Sequence, residues 1–495
     1  MKVFIAVIIT ASSWQQLSAQ SLNKVLEDVR RSSLSFKKEH ANYQAKSAEI
    51  DAADQVYDFR LGLDIRRAKD GSAQNNRFSG DERRRNEQDV HISKQFITGT
   101  QVKLGYKREW HETEFPPATP PQTLPDGTVV PGQDSSSATR FNPGYFNTFS
   151  LTLLQPLYKN FMSRQVEHQK ELLKKAAEIP RYSSLLLLQA DQFKAESLYW
   201  RLIAANKKLL VVKQIFDKSR EFSKQMGRQV KIGRAENVDL ADAEARVLNT
   251  ETSLVELEMV QLDIKTQLLN LMGVGESNLF EGPLDEADLK LQHKTADEAA
   301  AFAVKSRLDL RMISARKSMT ESQKLIAEED GKWDISLYAA YDANAIATSQ
   351  SESFKEAKDR QNVRTVYGIK MDMPIGGDTA SLAKIKARSY EAAALETERQ
   401  DVLRTIKQGL RIAYLRLSSS KRKVGLIQQQ ISSLKKKKSE EQQKLRQARS
   451  DRVAVIRYEM EVLNAELELI NSHEAQRLAE AECRFLIHGY PAGAK

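Results

Sequence analysis

Most of this chain is written twice. At a spacing of 274 positions, Ser33–Leu34 falls on Arg307–Leu308. The match runs on without a gap, placing Phe59, Leu61, Leu63 and Ile65 on Trp333, Ile335, Leu337 and Ala339. A second stretch repeats at 218: Phe149, Leu151, Leu153 and Pro156–Leu157 meet Tyr367, Ile369, Met371 and Pro374–Ile375. A third, at 215, sets Tyr199, Arg201 and Leu202 on Tyr414, Arg416 and Leu417, then Val247–Leu248–Asn249 on Val462–Leu463–Asn464. Leu and Glu identities alone count for little in helices rich in both. The ordered recurrence of helix, strand, connection, strand, long helix, turn and helix is the signature of an internal duplication.

Each half reads alike. Helices over 21–57 and 298–332 lead into alternating strands at 58–66 and 333–342, and second strands follow at 147–157 and 364–374. Alternation of apolar and polar residues marks strands with two different faces. Long helices then span 159–229 and 378–447. Proline supports this: seven of the 12 prolines lie between Pro116 and Pro143, while 158–273 and 376–489 hold only Pro180. A proline inside a helix costs about 3 kcal/mol, so stretches nearly free of it read as long helices. At 1.5 Å per residue, each would be roughly 100 Å long. Turns at 230–234 and 448–451 send back shorter helices, 235–272 and 452–487. The first repeat thus covers 20–272 and the second 298–489, with a linker at 273–297 and a tail at 490–495. Between the first two strands, Val90–Phe96 and Gln101–Tyr106 flank Thr98–Gly99–Thr100. This predicts an extra hairpin within 88–110, ahead of a proline-rich loop. Pro180 is expected to kink the first long helix, where barrel would pass into helical tube.

Residues 1–19 (Lys2, an apolar run from Val3 to Ala11, a small residue at Ala19) read as a secretory signal peptide. No other run approaches the roughly 20 apolar residues of a spanning helix, so any membrane crossing must be by a β-barrel. The one cysteine, Cys483, leaves no internal disulfide. The seven histidines are scattered, with no zinc-binding spacing, phosphate loop or nucleophile elbow. The sequence therefore offers no enzyme, no cofactor and no metal site. The formal charge of +10 could suit nucleic acid, but an export signal argues against that partner.

The segments Asn147–Leu157, Gln229–Asp239 with Ala243–Glu244–Ala245, and the Tyr199 and Tyr414 positions carry a resemblance to the TolC-like outer-membrane efflux family. It extends over nearly the whole chain, about 21 to 489. The fold class it implies is mainly α with a membrane β-barrel portion. Long antiparallel helical hairpins would form an α-barrel, with four principal strands per protomer and a homotrimer closing a twelve-stranded barrel. The resemblance implies a passive exit duct in the outer membrane of a gram-negative cell, reaching into the periplasm and serving efflux or type I secretion. Its implied partners are a periplasmic adaptor (membrane fusion) protein, an inner-membrane pump or ABC exporter, and outer-membrane lipid and lipopolysaccharide. Strand physics points the same way, since four strands cannot close a channel alone and open edges cannot face lipid. Lipid-facing candidates are Phe59, Leu61, Leu63, Phe149, Leu151, Leu153, Trp333, Ile335, Leu337, Tyr367, Ile369 and Met371.

The resemblance also makes the two helix turns, Val230-Lys231-Ile232-Gly233-Arg234 and Ala448-Arg449-Ser450-Asp451, adaptor-docking candidates. Gly233 suits a left-handed reversal, and the second turn lacks a glycine. Where related channels ring their narrowest opening with aspartates, the matching positions here are Asp239, Asp242, Ala454 and Arg457. With Arg228, Lys231, Arg234, Lys444, Arg446, Arg449 and Arg452 nearby, and Lys435 to Lys438 beyond them, the aperture is expected to favour cations less than acidic-ringed ones. Against that stands a plain reading in which these bases face solvent or pair with neighbouring acids. A periplasmic coiled-coil structural or adaptor protein without a pore is the alternative. It explains the helices but not the strands.

Overall fold

The computed structural model describes residues 21–73, 80–275, 280, 284–286, 291, 293 and 295–487. The expected signal peptide, the tail and parts of the linker lie outside the described residues. The chain divides into two compact units. One holds Met1–Tyr43, Glu178–Ser314 and Glu396–Lys495; the other holds Gln44–Ala177 and Ala315–Leu395. Among the described helices none is long and apolar enough to cross a membrane.

The elements repeat at the sequence offsets. Helices α1 (Leu22–Ser32) and α2 (Leu34–Ala52) correspond to α5 (Ala296–Ser306) and α6 (Leu308–Asp330), with starts 274 residues apart. The long helices α3 (Arg164–Lys231) and α8 (Thr379–Arg446) each have 68 residues. The returning helices α4 (Asn237–Met272) and α9 (Arg452–Ile487) each have 36, and every boundary of these four is shifted by 215. The single leading helices expected at 21–57 and 298–332 are each broken in two. Non-helical backbone at Ser33 and Arg307 makes the breaks. The Ser33 hydroxyl caps the next helix at Phe36 N and donates to Asp191, while Arg307 binds Asp309 and the Leu486 carbonyl. Helix α3 runs through Pro180, and the boundary between the units falls at Ala177–Glu178.

In the helical unit, the apolar stripe of α1 (Leu22, Val25, Leu26, Val29) is buried against Leu198, Tyr199 and Leu202 of α3 and Leu268 and Met272 of α4. Its duplicate, Ala299, Ala300 and Ala303 of α5, packs against Ile406 and Leu410 of α8 and Ile487 of α9. The equivalent tyrosines anchor the segment between the repeats: Tyr199 donates to the Asp285 carbonyl (2.8 Å) and Tyr414 to the His293 carbonyl (2.9 Å). A buried pair, Arg484 with Glu196, ties α9 to α3, and Trp200 Nε1 also donates to Glu196.

The other unit carries an antiparallel sheet of six strands where four principal ones were expected. They are β1 (Arg60–Asp70), β2 (Glu82–Gln95), β3 (Gln101–Glu114), β6 (Gly144–Pro156), β7 (Asp334–Ala347) and β8 (Asn362–Asp372), in the order β1-β2-β3-β6-β7-β8. The predicted hairpin is thus a full member of the sheet, between the two strands of the first repeat. Its pairing is long enough to explain this: β2 meets β3 over 14 residues, and β3 meets β6 over 11. A short ribbon, β4 (Gln122–Thr123) with β5 (Val129–Val130), forms in the proline-rich loop. Helix α7 (Gln350–Lys358) lies in the connection from β7 to β8.

Candidate functional site

Toward the end where β1 begins the sheet has two chemically opposite faces. At the other end of β1, β2 and β3 both faces are ionic, Lys69 pairing with Glu82 and Arg84 with Glu82 and Glu112 on the otherwise apolar side. Residues directly paired across an antiparallel sheet share a face, so the register assigns each side chain. One face carries Leu61, Leu63 and Ile65 of β1, Val90 and Ile92 of β2, and Leu104 and Tyr106 of β3. It continues through Phe149, Leu151 and Leu153 of β6, Ile335 and Leu337 of β7, and Tyr367, Ile369 and Met371 of β8. Ten of the twelve lipid-facing candidates therefore fall on one face. Phe59 and Trp333 stand one residue before β1 and β7, 67% and 49% exposed. Trp110 and Tyr145, paired with each other, stand on this face toward the other end.

The opposite face is ionic. Lys107 bridges Glu87 and Glu109, Arg85 reaches Glu109, and Arg364 of β8 grips Asp342 of β7 at 2.6 Å. Ser150, Thr148 and Thr152 complete it along β6. At 11 to 14 residues, the strands match or exceed the roughly 9–11 that a tilted strand needs to span a bilayer. Both edges, β1 and β8, are unpaired among the described residues, and their apolar side chains are the most exposed in the sheet: Leu61 at 76% and Tyr367 at 83%.

The second candidate region is the turn-bearing end of the helical unit. The two turns are built alike although their residues differ. Gly233 donates to the Val230 carbonyl and Arg234 to that of Gln229; Ala448 donates to Leu445 and Arg449 to Lys444. Both helix ends therefore close in the same six-to-one pattern. Gly233 (φ 69°) and Ala448 (φ 55°) occupy the left-handed position. Ala448 thus takes the place that lacks a glycine. Asp451 then accepts from Ala454 N to start α9.

Asp239 accepts from Glu236 N at 2.9 Å in a capping box, so its carboxylate starts α4. Asp242 and Arg457 are exposed and Ala454 is half-buried. Of the basic residues at this end, Lys435 pairs with Glu466, Lys444 with Glu441, and Arg452 with Glu221 at 2.6 Å. Arg228, Lys231, Arg234, Arg446, Arg449 and Arg457 carry no ion pair among the described residues.

This end also holds an ionic network that no motif marks in the sequence. Lys218 of α3 bridges Glu459 of α9 (2.8 Å) and Glu221, and Arg452 clasps Glu221 with two donors. Beneath it lie Phe222, Ala243, Val453 and Ile456. Burial acts to raise Glu221, but hydrogen bonds from Arg452 and Lys218 outweigh it and hold its carboxyl below the usual range. The Glu459 carboxylate raises Lys218 in turn. Among the described residues no group of His, Cys, Asp and Glu could hold a metal ion.

The architecture is that of the TolC-like outer-membrane channels. The outer-membrane channel OprN is similar at a TM-score of 0.66 and 13% identity, over 96% of this chain and 92% of that one. The outer membrane protein VceC from Vibrio cholerae gives 0.63 and 12%, covering 94% and 96%. The open state of the MtrE outer membrane channel of Neisseria gonorrhoeae gives 0.62 and 11%, covering 94% and 89%. No protein-family profile and no curated protein sequence matches the chain.

Proposed function

We propose that this chain is one subunit of an outer-membrane exit duct: a passive channel for efflux, with no catalytic step of its own. The observation that carries the reading is the six-stranded sheet with opposed apolar and ionic faces over part of its length and two open edges. Unpaired backbone in lipid costs several kcal/mol per group, so such a sheet is stable in a membrane only when closed into a ring. Its own edges, β1 and β8, supply the closure when β8 of one copy pairs with β1 of the next. Three copies then contribute three times six, or 18, strands in place of twelve. Barrel diameter grows roughly in proportion to strand number, so this pore would be about half as wide again.

The helical unit supports assembly independently. On α4, Leu248, Val255, Met259 and Leu262 recur at coiled-coil spacing and stand 56% to 64% exposed in the single chain. Neighbouring copies would cover this stripe. We place the turn end at the periplasmic mouth, where an adaptor and an inner-membrane pump would dock. The Lys218–Glu221–Arg452–Glu459 network would hold that mouth narrow at rest, and the unpaired arginines would disfavour cations.

Purified protein in a planar bilayer between unequal salt solutions tests this reading. Discrete current of weak cation preference is the expected result. Absence of current, or strong cation selectivity, contradicts the duct or its basic mouth respectively.

A further inference from the structure

Helix α7 lies on the apolar face of the sheet. Asn147, a fully buried polar residue on that face, donates to Ser353 Oγ at 2.9 Å and accepts from Gln350 at 3.0 Å and Tyr106 Oη at 2.6 Å. Ser353 also donates to the Ala345 carbonyl. Phe354 meets the rings of Tyr106 and Phe149 edge-on at 5.7 and 5.5 Å. A polar cluster and an aromatic cluster thus pin the helix to a surface otherwise suited to lipid.

A groove of about 680 Å³ opens beside α7. Its floor is aliphatic and aromatic, including Leu61, Ile92, Leu104 and Leu151, and its rim at the end of α7 carries Lys358 and Arg360. Both cations are exposed, and neither has an ion-pair partner among the described residues. An apolar trough continuous with the sheet's apolar face and rimmed by two cations without ion-pair partners among the described residues matches an acyl chain joined to a phosphate.

We propose that this groove is a binding site for a phosphorylated glycolipid of the lipid A type. One acyl chain lies along Leu104 and Leu151, and a phosphate sits on Lys358 and Arg360. The choice of the outer-leaflet lipid rests on the channel reading above, because α7 joins the end of β8 opposite the one from which the chain runs on into α8.

Native mass spectrometry of the full-length assembly in detergent tests the site with three probes: lipid A, phosphatidylglycerol and phosphatidylethanolamine. Retention of lipid A over both others is expected. It should fall about tenfold or more in Lys358→Glu/Arg360→Glu, the scale of losing charge-assisted contacts. Leu104→Trp, which fills the groove and keeps the charges, should lower it as well. Unchanged retention in both variants overturns the site, and equal retention of phosphatidylglycerol overturns the assignment to lipid A. Channel current measured on the same samples separates the two ideas. Persistent current without lipid retention removes the groove alone, whereas loss of current in the unmodified protein removes the duct.

Discussion

Ala448 shows how one residue can conceal a repeat. Its left-handed backbone matches Gly233 in every hydrogen bond of the turn, yet an L side chain there is strained by about 1–2 kcal/mol. Ala448→Gly is therefore expected to stabilise the chain, by about 0.5–1 kcal/mol once glycine's unfolded-state freedom is deducted. Gly233→Ala should destabilise it by about 1 kcal/mol or more. Paired denaturant titrations would show this opposite pair of signs, and equal signs would refute the equivalence of the turns. Tyr199 and Tyr414 belong to the same scale. Burial pushes each hydroxyl up to about 12, above its ordinary 10. The folded state then keeps protons that the unfolded chain loses, so their contribution is intact below pH 10 and falls between about pH 10 and 12. Tyr199→Phe should cost about 1 kcal/mol through the lost bond to Asp285 and flatten that alkaline decline. Cys483, buried and raised to about 11, should resist thiol reagents at neutral pH until the protein unfolds. Labelling of the native protein would contradict this.

Among the elements, strands and long helices were legible because their periods are strong. Alternation such as Phe149, Leu151 and Leu153 fixes a face, and proline-poor stretches fix length. The breaks at Ser33 and Arg307 were not legible, because each depends on a partner distant in sequence, Asp191 or the Leu486 carbonyl. Nor was the role of the extra hairpin: its turn can be read locally, but its place between β1 and β6 is a long-range register. Asp239, an aperture candidate by its position, also caps α4, a role that depends on the local turn at Glu236 and that its spacing alone does not single out. The network joining α3 to α9 carries a prediction of its own. Arg452→Ala leaves Glu221 with Lys218 alone, and should raise open probability in bilayer recordings without changing oligomer mass. Glu221 is held below its usual 4.5, so its stabilisation is present above that pH and lost as pH falls through the lowered value. Acidification through that lowered value should therefore mimic the substitution from the periplasmic side. Unchanged gating in Arg452→Ala would exclude this network as the restraint.

For the whole molecule, the decisive features are those a single chain leaves unfinished: two sheet edges without partners among the described residues, an apolar face that α7 covers only in part, and an exposed stripe on α4. The duplication explains why one chain supplies two long helical hairpins. The inserted hairpin explains why its share of wall is larger than the repeats alone would give. Cryo-electron microscopy of the full-length protein in detergent tests this most directly, by counting chains and strands in the ring. The account predicts three chains and eighteen strands, with β8 of each copy hydrogen-bonded to β1 of the next. A monomer with a free six-stranded sheet, or a closed ring of twelve strands that leaves β2 and β3 outside the wall, would contradict it.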